Sequence, residues 1–314
     1  MEVAMKYVRL GKTDIEISRI THGCMELGGG RWKVMDRKTN QQLLRTALEN
    51  GINTFDTAEG YGNGNSEEIV GEALETVRKN CVIATKVLPD HLHACDVRRA
   101  AEGSLKRLRT DYIDLLYVHW PNADIPIEET LGEFVRLKEE GKIRAIGVSN
   151  FSLEQLQEAM KITHIDALQP EYNLLQRKIE DGLLAYCADH QVSVLSYNSI
   201  AKGILSGAFH FKGAKLDEAD FRNEKPLFFP ENMETERPLL ECLREVGNRH
   251  QATISQVAAA WVLAQRGMSS AIIGTQNQTH FVENISSVDL GLTDEEIQEI
   301  GEISTKVIKG LKGV

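Results

Sequence analysis

Eight short runs of β-branched and aliphatic residues recur along the chain, each followed by a stretch of helical periodicity. This alternation limits the possible folds more than any other feature. The runs are Arg19 to Cys24, Ile52 to Thr57, Cys81 to Lys86, Tyr112 to His119, Ile143 to Ser149, Ala167 to Tyr172, Val192 to Tyr197 and Ser270 to Thr275. Between them, pairs of the form Ser/Thr-x-x-Gln/Glu mark helix starts, because each side chain can satisfy a backbone amide left open at the first turn. Thr39 with Gln42, Ser152 with Gln155, Thr253 with Gln256 and Thr293 with Glu296 have this form. The segment Glu128 to Glu140 ends at Gly141, where the missing Cβ permits a left-handed cap.

Strict strand-helix alternation implies a parallel sheet, and eight strands are the number that closes into a barrel. A doubly wound open sheet is the competing α/β architecture. No GxGxxG follows any strand, however, and Lys6 to Ile17 reads as a hairpin turning at Gly11 to Asp14, suited to plugging a barrel floor. The expectation is one (β/α)8 TIM-barrel domain over residues 1–314. The polar segment Gly207 to Arg237 reads as a loop excursion over the barrel mouth, and Thr293 to Ser304 as the last helix.

With 42% hydrophobic and 26% charged residues among 314, the chain can bury a sizeable core. A net charge of -10 argues against nucleic acid or an anionic membrane as partner, since both need a cationic face. Cys24, Cys81, Cys95, Cys187 and Cys242 are odd in number and scattered, which indicates no disulfide framework. The start has no apolar stretch of signal-peptide length, and no run approaches the roughly 20 apolar residues that span a bilayer. A cytoplasmic protein is expected. His91, His93 and Cys95 have metal-like spacing but no suitable fourth ligand nearby in sequence, so no metal is expected.

In a barrel of this kind, polar residues at the C-terminal strand ends converge on one mouth. Asp56, Lys86, His119, Ser149, Asn150, Gln169 and Tyr197 fall at or just beyond such ends. A Lys and an Asp on neighbouring strands can form a desolvated ion pair, and a tyrosine beside that Lys⁺ would have its pKa drawn down from about 10. Tyr61, in the loop after Asp56, is the available tyrosine.

The segment GINTFDTAEGYGNGNSEEIVGEAL (Gly51 to Leu74) closely resembles the aldo-keto reductase signature. The likeness continues through VIATK (Val82 to Lys86), SLKRLRTDYIDLLYVHWPN (Ser104 to Asn122), GKIRAIGVSNFS (Gly141 to Ser152) and LQPEYNLLQR (Leu168 to Arg177). The resemblance implies an oxidoreductase that moves a hydride between a nicotinamide cofactor and a small carbonyl or alcohol. Its catalytic four would be Asp56, Tyr61, Lys86 and His119, with Tyr61 donating the proton, Lys86 setting its acidity, Asp56 holding Lys86 and His119 orienting the carbonyl.

The same resemblance places the cofactor on Gly23, Cys24, Met25 and Asp56, with Ser149, Asn150 and Gln169 on the carboxamide and Tyr197 on the ring. Asn198, Ile200, Lys202 and Gly203 belong to a loop resembling the one that straps the pyrophosphate, with Lys202 as a cation. Ser199 stands there where proline is usual. Gly274, Thr275, Gln276 and Asn284 would take the adenosine. Members that prefer NADPH commonly carry Arg or Lys in this stretch. Here Gln276, Asn277, Gln278 and His280 stand instead, so NADP is implied with NAD a serious alternative. Trp32, Tyr61, His119 and Trp120 would line the substrate pocket, the two tryptophans alternatively capping the barrel core. Two other classes compete: a slow-turnover redox-sensing or regulatory subunit, and an aldolase-like barrel with Lys86 as Schiff-base nucleophile. The oligomeric state is not encoded in any motif.

Overall fold

A computed structural model describes residues 5–29, 35–275 and 277–314. Trp32, Gln276 and the side chain of Gln278 lie outside the described parts. Two short strands, β1 (Tyr7–Arg9) and β2 (Glu16–Ser18), pair antiparallel with Val8 opposite Ile17. Eight more strands follow: β3 (Ile20–Gly23), β4 (Thr54–Asp56), β5 (Val82–Val87), β6 (Ile113–Val118), β7 (Ile143–Ser149), β8 (Ala167–Gln169), β9 (Ser193–Ser196) and β10 (Met268–Ile273). They are parallel and close into a barrel, β10 returning to β3. The expected eight-stranded barrel is the observed fold.

The hairpin plugs the floor as expected. Leu10, Ile15 and Ile17 pack with Val82, Ala84, Leu115, Ala145, Ala167, Leu195 and Ile272 inside the barrel. The Gly11 N–H donates to Ser193 Oγ at the start of β9, at 2.8 Å. A Cβ on Gly11 would lie 2.5 Å from the Asp166 carbonyl oxygen, so only glycine lets the turn reach the strand ends.

Around the barrel lie α1 (Arg37–Glu49), α2 (Asn65–Leu74), α3 (Ala94–Arg107), α4 (Ile127–Glu139), α5 (Leu153–Ile162) and α6 (Leu183–Asp189). Then come α7 (Ala208–Phe211), α8 (Pro230–His250), α9 (Ile254–Ala264), α10 (Gln278–Ser286) and α11 (Asp294–Gly310). Reciprocal capping boxes start α5, α9 and α11 at Ser152, Thr253 and Thr293, as the sequence indicates. Gly141 follows α4 with φ +75°, the left-handed stop.

Four expectations need correction. Thr39 does not cap α1; Asp36 does, accepting from the Lys38 and Thr39 amides at 3.0 and 3.1 Å, and the Thr39 hydroxyl itself turns to Asp36. An Asp three residues earlier is an equally good cap and takes the role first. The excursion after β9 ends at residue 229, because Pro230, at the first helical position, opens α8 and residues 230–237 are helical. Their polar composition reads as loop only because most of one face meets solvent. Strict alternation also breaks here: α7, α8 and α9 all separate β9 from β10, and α8 packs on α9 and α11. The final helix runs to Gly310, beyond Ser304.

Among the described residues no helix is long and apolar enough to cross a membrane.

Candidate active site

The mouth of the barrel is built by residues that end strands or open the loops beyond them. Asp56 closes β4 and is paired with Ala84 of β5, so Lys86, two residues further along β5, stands on the same face just above it. Lys86 Nζ donates to Asp56 Oδ1 at 2.6 Å, to the Thr57 carbonyl at 2.7 Å and to Tyr61 Oη at 3.2 Å. The other oxygen of Asp56 accepts from Gln169 Nε2 at 2.6 Å. Lys86 is 1% exposed, so this set of partners is what allows a buried ammonium.

Tyr61 is carried by the loop between β4 and α2. Glu67 of α2, wholly buried, accepts from Thr85 Oγ1 at 2.5 Å and from Arg107 Nε at 2.6 Å, locking the helix to β5 and α3. From the other side the loop after β3 presses on the tyrosine backbone: a Cβ on Gly28 would stand 2.7 Å from the Tyr61 carbonyl carbon. The phenol is therefore fixed over Lys86 from two directions. The His119 ring meets the Tyr61 ring edge-on at 5.9 Å between centroids.

Titration follows from these surroundings. Burial drives the Tyr61 pKa up, and the Lys86 charge opposes this without cancelling it, so the net direction is above the ordinary phenol value. This corrects the expectation of a lowered pKa: the cation is present, but desolvation of the phenolate outweighs it. Burial alone would depress Lys86; Asp56 and then Tyr61 outweigh that and raise it, so it stays an ammonium. His119 is pushed down to about 3, first by burial and then by Lys86, and is neutral near pH 7. Its Nδ1 is buried without a hydrogen-bond partner. Burial raises Cys24 well above the usual thiol range, with Asp56 adding to the effect.

A second polar cluster adjoins the first. Ser149 Oγ donates to the Gln169 carbonyl at 2.8 Å, Asn150 Nδ2 donates to the His119 carbonyl at 2.9 Å, and Tyr197 Oη donates to Asn150 Oδ1 at 2.8 Å. Asn150 adopts φ +63°, which turns its amide back toward His119. Gly23 and Cys24 end β3 and begin the following loop, Cys24 N–H bonding the Asp56 carbonyl at 2.8 Å, while Met25 is 38% exposed at the mouth. Trp120 is 49% exposed directly after His119, which excludes the core-capping alternative for it.

The strap after β9 has four consecutive-region left-handed residues, Asn198, Ala201, Lys202 and Gly203, three of them non-glycine. Such conformations cost of order 1 kcal/mol or more each and cluster at ligand clamps. Ile200 opens the strap's turn. Ser199 Oγ, where proline was noted as usual, donates to the Ile272 carbonyl at 3.2 Å and ties the strap to β10. Lys202 Nζ turns to Glu171 Oε1 at 3.3 Å, an oxygen that also accepts from Asn198 Nδ2 at 2.8 Å. The resemblance offers Lys202 as a cation of this loop; in the structure its ammonium is paired with Glu171. Gly274, Thr275 and Asn284 lie at and beyond the end of β10, with Thr275 and Asn284 buried.

Sequence reasoning missed Gln169 as the second ligand of Asp56, and also Glu26, Glu171 and Arg222. Motif order places residues at strand ends but carries no information on side chains meeting from distant loops. The metal-like spacing at 91–95 leads elsewhere: His91 Nδ1 sits 3.0 Å from Glu59 and His93 Nδ1 3.2 Å from Glu129. Among the described residues no group of three such side chains could hold a metal ion.

The donor set suits a nicotinamide dinucleotide. Hydroxyl and amide groups of Ser149, Asn150 and Gln169 match a carboxamide, and Gly23 and Gly274 let the ends of β3 and β10 approach closely beside them. A Cβ on Gly274, for example, would approach Glu26 Oε1 to 3.1 Å.

An eight-stranded parallel barrel with a buried Tyr-Lys-Asp centre and a neutral histidine at its mouth is the arrangement that the comparisons with known proteins place in a family. The chain belongs to the aldo/keto reductase family, whose model matches residues 19–305. It is 37% identical to the aldo-keto reductase YhdN of Bacillus subtilis (strain 168) over 87% of this chain and 85% of that protein. It is 33% identical to the NADH-specific methylglyoxal reductase of Escherichia coli (strain K12), covering 96% and 98%. Among solved structures, an aldo/keto reductase from Klebsiella pneumoniae in complex with NADP and acetate is 30% identical, with a TM-score of 0.78 over 95% of each chain.

Proposed function

We propose that this protein is a single-domain oxidoreductase that reduces small aldehydes, ketones or keto-sugar-like compounds to alcohols with NADPH or NADH, Tyr61 supplying the proton. The carrying observation is the Lys86 ammonium 2.6 Å from Asp56 and 3.2 Å from the Tyr61 hydroxyl, with His119 neutral beside them. Tyr61 keeps its proton across neutral pH, and the ammonium stabilises the phenolate left when the proton passes to a carbonyl oxygen. Asp56, gripped by Gln169, keeps Lys86 charged and in place. Neutral His119 hydrogen-bonds and polarises the carbonyl; it is not the acid, because giving up a proton from a neutral imidazole leaves an imidazolate. A bound nicotinamide dinucleotide would supply the hydride chemistry.

In this reading Ser149, Asn150 and Gln169 hold the carboxamide and Tyr197 the ring, beside Gly23, Cys24 and Met25. Asn198, Ile200, Lys202 and Gly203 cover the diphosphate, and Gly274, Thr275, Gln276 and Asn284 take the adenosine. Trp32 and Trp120 wall the substrate pocket. The Klebsiella protein's NADP and the Escherichia coli protein's NADH-specificity support keeping both cofactors. The latter's name makes methylglyoxal the first substrate to try. Five free cysteines fit a reducing cytoplasm.

The test follows NADPH and NADH oxidation with methylglyoxal and a reactive aromatic aldehyde, beside Tyr61→Phe. Turnover should fall by roughly 10²- to 10⁴-fold in the variant while cofactor affinity is unchanged. Unchanged turnover would remove Tyr61 from its role, and no oxidation of either cofactor would sink the reductase reading.

A further inference from the structure

Every second side chain of a barrel strand points inward, so the interior is built in layers. Register sets Tyr117 of β6 beside Lys86 of β5 and Gly147 of β7, and Gly147 beside Ala167 of β8. Ser149 and Gln169 pair with each other one layer nearer the mouth. Tyr117 is wholly buried among the side chains that fill the barrel. A Cβ on Gly147 would collide with its ring, so this glycine is what lets the ring lean across β7 toward β8, below Gln169.

Packing explains the ring but not its hydroxyl. Tyr117 Oη is buried without a hydrogen-bond partner, a cost to stability that a phenylalanine would not carry. Burial drives its pKa well up and Asp56 adds to this, while the Gln169 amide opposes both, as an N–H donor beside the phenol oxygen does. Gln169 Nε2 carries two hydrogens, and one goes to Asp56 Oδ2 at 2.6 Å. That single bond leaves the amide plane free to turn, because the last torsion of a glutamine is broad.

We propose that Tyr117 is a positioning residue whose hydroxyl oxygen takes the second N–H of Gln169 when the cofactor binds. Asp56 and Tyr117 then hold the NH2 group from two sides. The amide plane is fixed, and its carbonyl oxygen is presented to the N–H of a nicotinamide carboxamide. The inference rests on the cofactor reading above and adds a residue from the barrel interior to it. Tyr117 touches neither substrate nor cofactor; it acts through Gln169.

The experiment titrates the full chain with NADP+, NAD+, the 3-acetylpyridine analogue of NAD+ and ADP-ribose, for wild type, Tyr117→Phe, Gln169→Ala and the double variant. Tyr117→Phe should weaken NADP+ and NAD+ by about three- to tenfold. The acetylpyridine analogue, whose methyl group replaces the carboxamide NH2, should bind as before, and so should ADP-ribose, which lacks the ring. In the Gln169→Ala background Tyr117→Phe should have no further effect. Its midpoint in urea unfolding should equal or exceed that of wild type, since only an unpartnered hydroxyl is removed. Unchanged NADP+ and NAD+ affinity, an equal loss for ADP-ribose or the analogue, a loss that persists without Gln169, or a lower urea midpoint would each overturn the proposal. Wild type that binds neither dinucleotide would instead overturn the cofactor reading itself, and this inference with it.

Discussion

Tyr61 sits between two opposed influences, a desolvated setting that holds its proton and an ammonium 3.2 Å away that favours losing it. Removing the ammonium tips the balance further: Lys86→Met leaves Asp56 buried beside the phenol with no cation, so carbonyl reduction should drop by roughly 10²-fold or more. Retained turnover near pH 7 would refute the coupling. The pH profile follows from the direction of the shift. The acid form of Tyr61 is active in reduction and persists below its raised pKa, so kcat/KM should be level from pH 6 to about 9 and decline only above pH 10. Alcohol oxidation, needing the phenolate, should rise toward that range. His119, with its pKa near 3, contributes no limb between pH 5 and 8. At this scale the motifs named the residues, but the sign of the tyrosine's shift was hidden. It depends on how completely the loops after β3 and β4 exclude water, which residue identities do not state.

Elements are positioned by contacts at single residues. Gly147 of β7 lies in register with Tyr117 of β6, and a Cβ there would collide with the Tyr117 ring. Gly147→Ala should therefore cost about 1–3 kcal/mol in urea unfolding, with most of the loss recovered when Tyr117→Leu is added. An alanine variant as stable as wild type would show that the ring is free to move. Capping boxes were legible at Ser152, Thr253 and Thr293, because a cap is a local contract between residues three apart. The start of α1 was misplaced because Asp36 and Thr39 both satisfy the local rule, and only the chain's path chooses. The helix α8 was partly hidden for another reason. Pro238 lies inside it, and Asn232 and Glu236 are buried against neighbours far away in sequence, so its first turns show little amphipathic periodicity.

For the whole molecule, two buried groups make stability depend on pH in opposite senses. His22 of β3 is packed 4.8 Å from the Phe281 ring and 6.2 Å from Phe55, and burial lowers its pKa to about 4. Between pH 4 and 6.5 the unfolded chain binds the extra proton, so stability falls as pH drops through that window, by about 3 kcal/mol in all. Glu26, raised to about 7, is protonated in the folded state first, so its contribution is lost as pH rises from about 4.5 to 7. The two slopes offset each other in wild type. The comparison that separates them is the stability of His22→Leu relative to wild type, which should shift by about 3 kcal/mol in the variant's favour from pH 7 to pH 4. A pH-independent difference would refute the assignment.

The sequence alone determined the barrel, its floor plug and the four residues at its mouth, because strand-helix alternation, turn chemistry and strand-end position are all local or periodic properties of the chain. Tertiary structure alone decided what those residues meet. The second oxygen of Asp56 goes to Gln169, 113 residues away; Lys202 is withdrawn to Glu171; and Arg222 is brought from the excursion to the Lys202 carbonyl. Closing the barrel brings together strand ends far apart in the chain, and electrostatic interactions depend on distance in space and on burial, neither of which is a property of position in the sequence.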